Sequence, residues 1–230
     1  MRTTLLTILA VGASLGPMAM AAEKESKVVD RIDASVDVLH DMMHASDKGI
    51  PQTLLDKAQC VVVVPNMKKA GFIFGAKYGR GFAMCRRPSK VGWSAPAAVQ
   101  IEGGSFGLQI GGSESDLVML VMNEGGMKHL LADKFTIGAE AAGAAGPVGR
   151  DSTAQTDAVM HAEILSYSRS RGIFGGLTLD GATLMADKGS DKDLYGREIT
   201  NKEILASDVP TPPEAMKLQH AVTRESARKS

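Results

Sequence analysis

Residues 102–121, EGGSFGLQIGGSESDLVMLV, contain five glycines followed by an unbroken apolar run, and three different structures would explain them. A phosphate-binding loop requires G-x-x-x-x-G-K-[ST], or G-x-G-x-x-G at the start of a helix, and the chain contains neither. A membrane-spanning helix needs about 20 apolar residues, and Glu114 and Asp116 interrupt any such span. The remaining interpretation is a pair of strands in a strongly curved sheet, where glycine permits bends, bulges or close backbone approach.

The neighbouring segments extend this sheet in both directions. CVVVVP (60–65) is β-branched and too short for a helix, which predicts a buried strand. GFIFGAKYG (71–79) and GFAMCRR (81–87) follow, and we expect a hairpin turn around Gly79–Gly81. Further strands are predicted at VGWSAPAAVQIE (91–102), SFGLQIGG (105–112), DLVMLVM (116–122), residues 159–171 and GIFGGLTLDGATL (172–184).

Helical patterns flank the strands. From Ser26 to Ala45 apolar residues recur with the 3.6-residue period of an amphipathic helix. Short helices are predicted over residues 51–58 and 201–207. These patterns predict an α+β fold: a single domain with a curved or barrel-like antiparallel sheet, an N-terminal amphipathic helix and short peripheral helices.

The N-terminus has the pattern of a secretory signal peptide. Arg2 precedes an apolar stretch of about ten residues and a small-residue cleavage site, so we expect cleavage near Ala21–Ala22. The mature protein is then exported or secreted, and is periplasmic or associated with the cell envelope. The predicted organisation is a signal peptide over 1–22, one domain over 23–209 and a flexible basic tail over 210–230.

Cys60 and Cys85 are the two cysteines of the chain. Export permits a disulfide between them, which would close a loop of about 26 residues and stabilise the fold by roughly 3 kcal/mol. Two buried thiols are the alternative, and the sequence leaves both open.

Charge is balanced in total but unevenly distributed, with 26 basic and 26 acidic residues in the whole chain. No acidic residue lies between Asp56 and Glu102. A block of this kind often meets an anionic partner. The alternative is scattered solubilising charges, or internal partners of acidic residues. This acid-free block begins with Lys57, and its candidate lipid-binding cations are Lys68, Lys69, Lys77, Arg80, Arg86, Arg87 and Lys90, with Arg171 grouped with them.

The sequence assembles no catalytic constellation. His40 and His44 lie one helical turn apart, a metal-ligand spacing, but the H-E-x-x-H pattern is missing and a solvated helix face is the favoured interpretation. His161 and Glu163 lack an accompanying nucleophile motif. We therefore expect no enzyme activity, no cofactor, no metal and no nucleic-acid partner.

Several motifs together resemble the SYLF domain, also called the Ysc84-like actin-regulator domain. The resemblance covers roughly residues 34–196, and its most specific parts are W-S-A-P, G-L-Q-I-G-G, G-P-V-G-R-D and Y-S-R-S-R-G. In these motifs the residues we expect to have structural roles are Trp93, Gln109, Arg150, Asp151 and Arg169. The resemblance implies a lipid-binding module rather than a catalyst, with eukaryotic members connected to phosphoinositides and cortical actin.

One departure from the family concerns the N-terminal helix. Eukaryotic members are described as meeting the membrane with a basic helix, whereas this helix carries Asp30, Asp33, Asp37 and Asp41. The predicted function is therefore peripheral binding of anionic, phosphoinositide-like phospholipid head groups in the cell envelope through the basic block. The alternative is a structural or protein-interaction domain with an envelope protein partner and no lipid ligand.

Overall fold

The computed structural model describes residues 16–45, 49–71, 74–88, 92–106, 111–148, 161–170 and 173–226. The α-helices of this part of the chain are α1 (Gly16–Met43), α2 (Gln52–Lys57), α3 (Glu124–Leu131), α4 (Lys188–Tyr195), α5 (Asn201–Ala206) and α6 (Met216–Glu225), with a 3-10 turn at Pro213–Ala215. The strands are β1 (Cys60–Gly71), β2 (Phe74–Cys85), β3 (Ala97–Phe106), β4 (Gly111–Val121), β5 (Lys134–Thr136), β6 (Gly143–Ala145), β7 (Ile164–Ser170), β8 (Ile173–Gly176) and β9 (Ala182–Ala186).

The strands form one strongly curled half-barrel sheet, which confirms the predicted α+β class with a curved or barrel-like sheet. Its order is β5-β9-β3-β2-β1-β4-β7-β6, and β8 pairs with β7. Every strand pair is antiparallel except β6 with β7, so the sheet is mixed rather than purely antiparallel. β1, β2 and β3 are neighbours in chain order, whereas β4 pairs with β1 rather than with β3.

Helices cover both faces of the inner part of this sheet. Val61 and Val63 of β1 belong to a core that includes α1 and α6 residues, whereas Val62 and Val64 belong to a second core that includes α3 and α5 residues. Alternate side chains of a strand point to opposite faces, so burial on both sides explains the continuous apolar run.

The two cysteines occupy directly paired positions on β1 and β2 and form a disulfide. Their Cα atoms are 4.0 Å apart, and both residues are completely buried. Of the two states that the sequence left open, the structure therefore contains the bridged one.

The hairpin between β1 and β2 is not where the sequence predicted it. Gly79–Gly81 lies inside β2, and the pairing of β1 with β2 continues as far as Gly71 opposite Gly75. These glycines face a bulge in β1, where the register with β2 shifts between Val63 and Lys68 and Asn66 has a φ of 50°. A Cβ at Gly81 would lie 1.9 Å from the carbonyl oxygen of Val63. Close approach, rather than a turn, is therefore what requires glycine here.

Three other predictions differ from the structure. Helix α1 begins at Gly16 rather than near Ser26, so it includes the expected cleavage site. The single strand predicted over 172–184 is two strands, β8 and β9, because Gly181 has a φ of 76° and turns the chain. The predicted flexible tail contains α6, whose Leu218, Ala221 and Val222 are buried against the α1 side of the sheet.

No helix within the described ranges is long and apolar enough to cross a bilayer.

We predict a graded loss of stability when a methyl group is added to three glycines of the sheet. Gly81→Ala should lower the free energy of unfolding by about 3 kcal/mol or more, because its Cβ meets fixed backbone. Gly79→Ala should cost less, since its Cβ meets the Val64 side chain at 2.6 Å. Gly104→Ala, which meets nothing within 4 Å, is the control. Urea denaturation measures all three, and equal losses would contradict the close-approach explanation.

Candidate functional site

The acid-free block does not form one basic surface, because it follows β2 along its whole length. Lys77 and Arg86 are nine residues apart, which corresponds to about 30 Å of strand. Arg86 and Arg87 lie at the inner end beside α2, and Lys68, Lys69 and Lys77 lie at the outer end.

Arg86 is tied to the protein itself. Its guanidinium donates hydrogen bonds to the carbonyl oxygens of Ala58 at 3.0 Å, Asp56 at 3.0 Å and Leu55 at 3.4 Å, at the C-terminal end of α2. It also lies 4.5 Å from the ring centre of Trp93, a cation–π arrangement. Helix carbonyls without intrahelical partners attract a cation. This placement revises the prediction that Arg86 meets an external lipid.

Arg87 and Trp93 belong to the same internal arrangement. The Arg87 guanidinium donates to the Trp93 carbonyl oxygen at 3.1 Å and lies 3.6 Å from the carboxylate of Asp208. The buried indole of Trp93 donates to the hydroxyl of Ser226 at 2.8 Å, just after α6. Arg87 is thus also occupied internally, contrary to its assignment as a lipid-binding residue.

The outer end of the sheet extends beyond both cores. We call this part the outer sheet; it comprises residues 68–71, 74–78, 102–106 and 111–114 of β1 to β4. On it Lys68, Ala70, Ala76 and Tyr78 are exposed, whereas the inner residues 60–64 of β1 are buried. Ala76 and Gly104 are exposed there, and a Cβ added at Gly104 would meet nothing within 4 Å.

One face of the outer sheet carries charges of both signs. Lys68 lies 3.9 Å from Glu114, its register partner on β4. On the next strand Glu102 is paired opposite Tyr78, whose hydroxyl accepts a hydrogen bond from Arg80. An open cleft of about 740 Å³ lies beside Lys68 and Glu114. Because the positive and negative side chains of this face compensate each other, the face favours neither an anionic nor a cationic ligand.

The opposite face carries cations without acids among the described residues. Lys69 and Lys77 are directly paired across β1 and β2, and their other register partners are Ser113 and Gly103. Side chains paired in this way have Cβ atoms about 5 Å apart, and like charges there repel. Neither ammonium group has a partner among the described residues. Partial burial lowers the pKa of Lys69, and the charge of Lys77 lowers that pKa further.

The guanidinium groups of Arg169 and Arg80 have carboxylate partners within the protein. Arg169 donates to the carboxylates of Asp116 on β4 and Asp41 on α1, so it joins the first helix to the sheet. Hydrogen bonding to Asp41 is the largest contribution that raises the pKa of Arg169. The Arg80 guanidinium lies 3.5 Å from Asp187 and is only partly available at the surface.

Asp187 and Asp191 form a buried polar cluster beneath α1. Asp187 caps α4 by accepting from the backbone and hydroxyl of Ser190, and Arg31 donates to that hydroxyl at 3.0 Å. Asp191 accepts a hydrogen bond of 2.7 Å from the Ala98 backbone N–H, while its second oxygen has no partner. Burial raises the pKa of Asp191 to about 7 against the opposing effect of that hydrogen bond, and Asp187 raises it further.

The glycine motifs also have a structural explanation where they are described. Gly146 opens the G-P-V-G-R-D motif and Tyr167 opens the Y-S-R-S-R-G motif. A Cβ at Gly146 would lie 2.1 Å from the Tyr167 ring, so the two motifs pack directly on each other. Five candidates lie outside the described residues: Lys90, Gln109, Arg150, Asp151 and Arg171. The last three residues of the G-P-V-G-R-D motif and the last two of the Y-S-R-S-R-G motif also lie outside them.

One group that the sequence analysis did not single out is Glu225. It lies at the end of α6, beside His40 and His44, and the three could together hold a metal ion. No local pattern indicates this, because Glu225 is remote from both histidines in the sequence.

Comparison with known proteins gives a consistent family. Residues 102–225 match the family described as Ysc84, Las17-binding protein actin regulator. The SH3 domain-containing YSC84-like protein 1 of Rattus norvegicus is 34% identical over 170 residues, covering 74% of this chain and 49% of the rat protein. Its Homo sapiens namesake is 32% identical over the same length, with the same coverage of 74% and 49%.

The yeast relative is more distant but aligns over more of the chain. Protein YSC84 of Saccharomyces cerevisiae is 27% identical over 202 residues, covering 86% of this chain and 42% of the yeast protein. The chain therefore spans about half the length of the curated relatives it matches or less. These names describe SH3-containing and actin-regulating proteins, and none of the three denotes an enzyme.

We predict that Arg86 contributes to stability rather than to binding. Arg86→Gln should lower the free energy of unfolding by about 2 kcal/mol, because three carbonyl oxygens at the end of α2 lose a charged donor. Lys202→Gln, which removes an exposed cation from α5, should change it by less than about 0.5 kcal/mol. Chemical denaturation measures the free energy of unfolding of both variants. Equal losses would mean that Arg86 behaves like an ordinary surface charge.

We predict a pH dependence of stability that originates at Asp191. In the folded state the Asp191 carboxyl stays protonated up to about pH 7, whereas its ordinary pKa is 3.8. The stability that this raised pKa contributes is therefore fully present below pH 3.8 and is lost as the pH rises through 7. Between pH 5 and 8 the wild type should lose about 2–3 kcal/mol more than Asp191→Asn does. Asp193→Asn on the exposed side of α4 is the control. Parallel slopes for wild type and Asp191→Asn, from unfolding at several pH values, would refute this assignment.

Proposed function

The chain belongs to the Ysc84 (SYLF) family of actin-regulator domains, and from this premise we propose that it binds anionic phospholipid head groups through Lys69 and Lys77. The binding is peripheral, reversible and non-enzymatic. It takes place at a membrane surface of the cell envelope, where the signal-like N-terminus would deliver the protein.

The carrying observation is the uncompensated pair of ammonium groups on the outer sheet. Lys69 and Lys77 repel each other across β1 and β2, and no carboxylate lies on their face among the described residues. A phosphate group placed between them accepts hydrogen bonds from both and removes the repulsion. An anion therefore gains more here than at Lys68, Arg80 or Arg87, whose charges already have internal partners.

The shape of the outer sheet supports the same assignment. Lys69 and Lys77 are partly exposed there, and residues 68–70 and 75–78 belong to neither core, so the pair is open to a flat partner. Each cation near an anionic surface contributes about 1 kcal/mol, so a few of them hold the protein weakly.

Vesicle flotation tests the proposal. We expect the full chain to float with phosphatidylcholine vesicles that contain phosphatidylglycerol or a phosphoinositide, and to ignore phosphatidylcholine alone. Lys69→Gln with Lys77→Gln should weaken binding about thirtyfold, since two cations are lost and each factor of ten corresponds to about 1.4 kcal/mol. Raising salt from about 0.1 M to 1 M should also release the protein, because the Debye length falls from about 10 Å to 3 Å.

The matched control removes two exposed cations elsewhere. Lys134 on β5 and Lys202 on α5 are both exposed, and Lys134→Gln with Lys202→Gln makes the same change in net charge. Equal weakening by the two double variants would show that net charge, not the Lys69–Lys77 pair, drives binding. No binding of the wild type to any anionic vesicle would reject the lipid proposal and leave a protein as the partner, a class of partner that the family's Las17-binding description names.

A further inference from the structure

Three side chains converge where the first helix meets the last one. His40 lies in the final turn of α1, His44 follows its end directly, and Glu225 is the last residue of α6. One nitrogen from each histidine and one oxygen from Glu225 lie within 4.8 Å of one another. We propose that these residues bind a divalent transition-metal ion of the zinc type. This site is independent of the Lys69–Lys77 pair proposed to bind lipid.

The hydrogen bonding of His44 prepares it as a ligand. Its Nδ1 lies 2.9 Å from the backbone carbonyl oxygen of His40, and since a carbonyl oxygen only accepts, Nδ1 carries the proton. In the neutral ring the lone pair is then on Nε2, which lies 3.8 Å from the Glu225 carboxylate. A ligating histidine commonly donates its other ring N–H to a carbonyl in this way, which fixes the orientation of the ring.

Glu225 is held in place independently of the histidines. Its side chain is only 8% exposed, and its backbone carbonyl accepts a hydrogen bond from the Gln52 side chain. The neighbouring Arg224 guanidinium lies 3.3 Å from one carboxylate oxygen, but this arginine is largely exposed and can turn to solvent. A nearly buried carboxylate favours a cation that bonds to it directly.

The distances suit a metal better than they suit hydrogen bonds. His40 Nδ1 is 3.7 Å and His44 Nε2 is 3.8 Å from the Glu225 oxygens, both beyond hydrogen-bonding distance. Two ligands at about 2.1 Å from a tetrahedral ion are about 3.4 Å apart, so the two His–Glu225 distances need shifts of a few tenths of an ångström, while all three donor atoms already lie within 4.8 Å of one another. Both histidines are 55% exposed, which leaves a fourth position for water.

The donor set selects the class of metal. Two imidazole nitrogens and one carboxylate oxygen are ligands for Zn²⁺, Co²⁺, Ni²⁺ and Cu²⁺, whereas Ca²⁺ and Mg²⁺ prefer oxygen alone. Because His40 and His44 lie at the end of α1 and Glu225 lies at the end of α6, an ion bound here connects the first and the last described helix. Such an ion binds only the folded arrangement and therefore stabilises it.

Titration of the untagged full chain with Zn²⁺ and Co²⁺ tests the site. We expect one ion per chain by calorimetry, the visible absorption of tetrahedral Co²⁺, and a rise in Tm of about 5 °C or more at a hundredfold excess over Kd. His44→Gln and Glu225→Gln should each weaken Zn²⁺ binding about tenfold or more, and Mg²⁺ should give no signal.

His220→Gln is the matched control, because His220 is exposed on α6 but does not belong to the cluster. It should bind Zn²⁺ as the wild type does. If wild type binds no more tightly than the His40→Gln, His44→Gln double variant, the proposal is wrong. It is also wrong if Glu225→Gln lowers Tm while Zn²⁺ leaves the wild-type Tm unchanged, because the cluster would then be an ion pair only.

Discussion

The close approach of β2 to the bulge in β1 is the constraint on which the rest of the structure depends. Only glycine at position 81 leaves room for the Val63 carbonyl, and Gly79 similarly accommodates Val64. The bulge changes the register of the central strand pair, and a bulged strand bends and twists more strongly. The curl that results divides each long strand into an inner part between two helical layers and an outer part that projects into solvent.

The sequence predicted the class of fold because its signals there are local. The 3.6-residue spacing of apolar residues in α1 indicates burial of one helix face, and the valine run of β1 indicates burial on both faces of the strand. Both patterns can be recognised without knowing which residues they pack against. The position of the β1–β2 turn could not be predicted in this way. Glycine is required both for turns and for close contacts, and what distinguishes them at Gly81 is Val63, a residue on another strand. The helix α6 was missed for a related reason: its apolar residues are few, and their partners are on α1 and the sheet.

The candidate site was predicted less well than the fold, because charge in a sequence does not show which atoms compensate it. Arg86 and Arg87 are adjacent to the other cations in the chain, yet their partners are backbone carbonyl oxygens of α2 and of Trp93. Lys68 and Lys69 are consecutive and therefore point to opposite faces, one towards Glu114 and the other towards Lys77. The pair that stands out physically is cross-strand, and the register that creates it depends on the bulge.

The acidic residues of α1 fall into two groups, those paired within the protein and those that remain exposed. Asp41 pairs with Arg169 of β7, and Asp33 pairs with Lys217 of α6, so part of its acidity holds the helix in place. Asp30 and Asp37 remain exposed on α1 and would repel an anionic membrane. Because α1 covers one face of the inner sheet, that repulsion favours an approach from the outer sheet, where Lys69 and Lys77 lie. If the protein binds an anionic membrane as proposed, the acidic α1 and the position of the Lys69–Lys77 pair therefore favour the same orientation, with the outer sheet towards the membrane.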